Sequence, residues 1–161
     1  MTTTAVRSPL LVLDCDQHVM DERFPIGPPG PDRQVVPETA SRVRTMRQIT
    51  ADRLGSHGLK SLIDAAQLVV SELVANAMIH SGAAEVQVVM FTRQGCLNIV
   101  VIDGMQGEAT LTPPGMTSES GRGLHLVQAI TAEYGGDWGT SDGGAQTWCR
   151  FPVISLSEQP Q

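Results

Sequence analysis

Glu72, Asn76 and His80 recur at every fourth position of the run Ser71–His80, SELVANAMIH. Residues four apart stack on one face of a helix. Apart from Ser71 the rest of the run is apolar, so this polar line belongs to a helix that is largely buried. A buried carboxylate is costly unless it is paired, hydrogen-bonded or bound to a metal. The stripe therefore asks for a partner, and a nucleotide with its magnesium ion is one candidate. A hydrogen-bonded polar pair that merely holds the core together is the other.

Three further segments could do chemistry. Asp103 stands where the apolar strand Leu97–Ile102 runs into a loop. Its carboxylate can accept a hydrogen bond from an exocyclic amino group, as adenine presents, although Asp-Gly after a strand is also an ordinary turn. Gly121-Arg122-Gly123 leads into an apolar-periodic helix beginning at Leu124. Glycines let a backbone approach phosphate, and a helix start offers free N–H groups and the positive end of its dipole. Arg122 is either a phosphate clamp or a solvated side chain. Thr147 falls on the last strand, where a threonine also suits strand propensity alone. No Gly-Lys-[Ser/Thr] occurs, so the phosphate loop is not of the Walker type.

Composition narrows the class. The 161 residues suffice for one domain, and 41% apolar with 17% charged residues fits a soluble globular protein. A net charge of −6 and a pI near 5.1 argue against nucleic-acid binding. Lys60 is the single lysine beside ten arginines, so no polybasic membrane patch forms. No signal-peptide core or membrane-spanning run is apparent, and a cytoplasmic location is expected. Cys15, Cys96 and Cys149 show no zinc or redox spacing and read as reduced thiols. His18, His57 and His125 lack metal spacing and are expected in solvent, and Trp138 and Trp148 are expected in the core or an interface.

The elements that must position these residues follow from pattern. Residues 1–33 read as a loosely ordered arm, because Phe24–Pro31 holds four prolines and two glycines. Leu10–Leu13 could add an edge strand. A helix is expected from Thr39 or Ser41 to about Leu54, ended by Gly55 and Gly58. A second runs from about Ser61 to His80. Strands follow at Glu85–Phe91 and Cys96–Ile102 around an Arg93-Gln94-Gly95 turn. Residues 104–120 read as a loop, a third helix as about Gly123–Tyr134, and the last strands as Asp137–Thr140 and Ala145–Val153. This order predicts an α+β two-layer sandwich, a mixed, mainly antiparallel sheet covered on one face by about three helices. A domain over 34–154 and a tail over 155–161 complete the division.

Four motifs in this order resemble those of the GHKL ATPases, the superfamily of DNA gyrase and the histidine-kinase catalytic domains. Glu72–His80 resembles the N-box, Val100–Gly104 the first glycine box, Gly121–Val127 the second, and Gly143–Trp148 the closing threonine strand. Order and spacing resemble most the short bacterial anti-sigma-factor serine/threonine kinases. The resemblance implies the Bergerat fold with ATP and Mg2+. It implies Glu72 as the base that takes a proton from an attacking hydroxyl, and Asn76 as the magnesium ligand. His80, Asp103, Gly107, Gly121, Arg122, Gly123, Leu124 and Thr147 would complete the nucleotide site, with 104–120 as its lid. The family usually has glycine where this chain has Met105; either Gly107 would supply the backbone freedom instead, or Met105 would pack against the base.

The resemblance further implies a kinase that phosphorylates an anti-sigma-factor antagonist, holds a sigma factor and forms a homodimer. A non-catalytic, ATP-gated binding module of the same fold is the alternative. A histidine-kinase fragment would need a helical hairpin before the domain, and the proline-rich arm does not provide one.

Overall fold

A computed structural model describes residues 17–25, 37–80, 85–103, 119–141 and 145–153. In chain order these form β1 (Gln17–Pro25), α1 (Pro37–Ser56), a single 3-10 turn (Lys60–Leu62), α2 (Ile63–His80), β2 (Glu85–Arg93), β3 (Cys96–Ile102), α3 (Glu119–Glu133), β4 (Asp137–Ser141) and β5 (Gln146–Pro152). The five strands make one sheet in the order β1-β2-β3-β5-β4. All four pairings are antiparallel, where the sequence allowed a mixed sheet. The architecture is the expected α+β sandwich.

Local chemistry sets the element ends. Pro37 opens α1, where its missing N–H and fixed φ cost nothing. The helix closes in a Schellman motif: Gly58 adopts φ 73°, Leu59 N–H donates to the Leu54 carbonyl at 2.8 Å, and Gly58 N–H to Gly55 at 3.3 Å. Leu54 and Leu59 are both buried, the apolar contact such a cap carries. The same motif ends α3, with Gly135 at φ 75° and Gly136 N–H donating to Thr131 at 2.7 Å. Gln94 and Gly95, at φ 53° and 73°, make the tight β2–β3 turn.

One sheet face meets the helices. Val86, Val88, Met90, Leu97, Ile99, Cys149 and Phe151 point into that layer and are buried. Helix α2 lies over β2 and β3 with α1 on one flank and α3 on the other. Its buried Ala65, Ala66, Val69, Val70, Leu73, Val74 and Ala77 explain its high apolar content. Lys60–Met78 is long and apolar enough to cross a membrane, but this enclosure marks it as a core helix.

The N-terminal arm needs correction. Residues 17–25 form β1, paired with β2 along its length, and are not loosely ordered. The strand shifts register between His18 and Met20, which turns Val19 and Met20 both inward, 1% and 0% exposed. A bulge of this kind breaks the alternation by which strands are recognised in sequence. Residues 1–16, including Leu10–Leu13, and the proline-rich 26–33 lie outside the described residues.

A core role for β1 predicts that Met20→Ala lowers the unfolding free energy by about 2–4 kcal/mol in urea denaturation. Asp21→Ala, on the opposite face, should change it by less than about 0.5 kcal/mol.

Candidate functional site

Helix α2 carries two polar flanks. On one, Arg47 of α1 donates to Ser71 Oγ at 3.0 Å and Gln67 Nε2 donates to the Arg47 carbonyl at 3.0 Å, which locks α1 to α2. Asn76 lies nine residues beyond Gln67, a rotation of about 180° around the helix. Asn76 and Glu72 therefore share the flank on the α3 side. Both are half-buried, and Glu72 is already engaged by a neighbouring group. The stripe is a ledge at the rim of the core, not a group sealed inside it. Helix α2 ends at His80, whose side chain lies outside the described residues.

Connectivity brings the other motifs to this ledge. Only residues 81–84 separate α2 from β2, so the C-terminal half of α2 lies over the end of the sheet where β2 begins. That end is also where β3 finishes, because Gln87 pairs with Ile102. Asp103 follows immediately, half-buried and engaged, its N–H donating to the Ala145 carbonyl at 3.1 Å. β5 starts here, with Gln146 opposite Ile102, and β4 finishes here, with Ser141 opposite Gln146. Helix α3 joins β4 through Tyr134–Gly136 at the far end of the sheet, where Asp137 pairs with Arg150. Since α3 packs on both β4 and α2, its N-terminus points back to the ledge.

Thr147 lies opposite Val101 on the helix-covered face and is half-buried. The structure thus brings Glu72, Asn76, Asp103, the start of α3 and Thr147 to one end of the sheet, where the seam between α2 and α3 is the candidate nucleotide cleft. Leu124 is buried on α3, where it packs in the core. Helix α3 begins at Glu119 rather than Gly123, so Gly121, Arg122 and Gly123 occupy its first turns. Two glycines cost about 2 kcal/mol of helix propensity in an interior, and the sequence pattern placed them before the helix for that reason. In the first turn the N–H groups lack intrahelical partners, so Gly121, the third helical residue, still presents a free donor. Of the lid expected over 104–120, residues 104–118, Met105 and Gly107 among them, lie outside the described residues, whereas 119 and 120 begin α3; the side chains of residues 119–123 lie outside them too.

The tryptophans separate by face. Trp138 packs against the core on the helix side. Trp148 lies on the opposite face, over Gly139, where a Cβ would meet its ring at 2.8 Å. Arg150 sits 5.8 Å from the Trp148 ring centre and bonds Asp137 through Nε at 3.0 Å and Nη2 at 2.7 Å. His18 is exposed as expected, His57 donates through Nδ1–H to the Arg53 carbonyl, 2.8 Å away, and His125 is half-buried and engaged rather than solvated.

Residues 36–151 match the family described as Histidine kinase-like ATPase domain, and the chain belongs to that family. No curated protein matches the chain. Membership of this family implies that the chain binds ATP. Among the described residues no cluster of three or more His, Cys, Asp or Glu is placed to hold a metal ion.

Beneath the cleft, burial pushes the Cys149 thiol far above its ordinary range, with the Asp137 charge adding to the shift. Below about pH 8.5 the thiol is protonated in both folded and unfolded chains. Above it the unfolded thiol ionises and the folded one does not, so stability falls as pH rises. Denaturation between pH 8 and 10.5 should show native stability dropping relative to Cys149→Val by about 1.4 kcal/mol per pH unit.

Proposed function

We propose that this protein is an ATP-dependent protein serine/threonine kinase that phosphorylates a small anti-sigma-factor antagonist and also binds a sigma factor. The observation that carries the kinase reading is a carboxylate on the ledge, Glu72, one helical turn from the oxygen donor Asn76 and on the same flank of α2. A pure binding module has no need of that carboxylate.

Each residue has a distinct task. Asp103 accepts a hydrogen bond from the adenine amino group, with Thr147 supporting it at the same end of the sheet. Asn76 offers its amide oxygen toward the phosphates. A bound Mg2+ would supply charge neutralisation across the β- and γ-phosphates. The first-turn N–H groups of α3 hold phosphate oxygens, and Arg122 adds a positive charge there. Glu72 orients the substrate serine hydroxyl and takes its proton as the oxygen attacks the γ-phosphorus. The half-buried setting limits water at the reacting atoms. The match to sigma-factor control rests on the order and spacing of the four motifs, and a homodimer in the cytoplasm accompanies it.

Glu72→Ala should reduce phosphotransfer to the antagonist by about 10²-fold or more, while ATP binding stays near native; Asn76→Ala should lose the magnesium dependence of binding. Phosphosite mapping on proteins captured with Mg-ATP reads the first effect, and titration calorimetry the second. Partner exchange that proceeds unchanged in Glu72→Ala, with no phosphate on any partner, would establish the non-catalytic module instead.

A further inference from the structure

Burial along the helix-covered face changes near the ledge. On β5, Phe151 and Cys149 are fully buried, whereas Thr147, the next residue on that face, is half-exposed. Thr140 of β4 stands directly across from Thr147 and is half-exposed as well. One row of the sheet therefore reads Val88–Val101–Thr147–Thr140, two closed aliphatic positions followed by two hydroxyls. Neither hydroxyl has a hydrogen-bond partner among the described residues. Thr140 belongs to none of the four motifs.

We propose that Thr140 is a second hydroxyl of the nucleotide site, forming with Thr147 a polar floor beneath the base end of the cleft. Directly opposed residues of an antiparallel pair hold their Cβ atoms about 4.5–5.5 Å apart, so one planar base or one bridging water reaches both hydroxyls. Strand propensity does not account for the pair, since valine serves a half-buried strand as well and is what the same row uses at Val88 and Val101. A half-buried hydroxyl without a protein partner gains when a ligand supplies one. The floor lies at the sheet end that carries Asp103, so its ligand is the purine rather than the phosphates. This inference rests on the ATP reading of the cleft.

The test is titration of Mg-ATP, and separately of inorganic triphosphate, into the full chain and its variants. Thr140→Val should weaken ATP binding about three- to tenfold, the loss of one hydrogen bond, and leave triphosphate binding and the melting temperature of the nucleotide-free protein unchanged. Thr140→Ser, which keeps the hydroxyl, should bind ATP as the native chain does. Native ATP affinity in Thr140→Val overturns the inference. So does an equal loss for ATP and triphosphate together with a lowered melting temperature, which would mark a structural residue. A native chain that binds no ATP removes the ATP reading itself, and the inference with it.

Discussion

The enclosure of α2 is the constraint from which the rest of the structure follows. A helix pressed against a sheet and flanked by two helices can keep polar groups only where they are paired or reach a rim. Gln67 and Ser71 meet the first condition through Arg47. Glu72 and Asn76 meet the second, because the α3 side leaves them half-exposed. The same packing that forms the core thus raises a carboxylate and an amide onto the edge of a cleft.

Short connections then give that ledge its surroundings. Four residues between α2 and β2, a two-residue turn between β2 and β3, and a three-residue link from α3 to β4 leave little freedom in where each element starts. The antiparallel register carries the rest, setting Asp103 beside Ala145 and Thr147 beside Val101. The opposite face of the sheet, with Trp148 laid over Gly139 and Arg150 clamped to Asp137, is built separately and takes no part in the cleft.

Much of this was legible in the sequence, for identifiable reasons. α1, α2 and the β2–β3 hairpin announce themselves by period and by glycines at positive φ, and the structure places them as the pattern does. Strand β1 was hidden because its bulge turns two neighbouring residues inward and a proline-rich stretch begins at its last residues. The start of α3 was displaced because glycine is a poor helix former, and tertiary packing outweighed that preference. The candidate residues could be picked out in the sequence because their spacing follows from chemistry. Their convergence could not, since strand order and register are long-range facts. Thr140 had no local signal at all; only its position across from Thr147 singles it out.

The central claim is that the cleft between α2 and α3 holds ATP at one end of the sheet. Backbone NMR of the full chain, recorded with and without Mg-ATP, tests it most directly. The account predicts shifts at Asn76, Asp103, Ala145 and Thr147, with Trp148 and Arg150 on the far face left in place. Shifts centred on Trp148 and Arg150, or no change at Asn76 and Asp103 at saturating nucleotide, would contradict it.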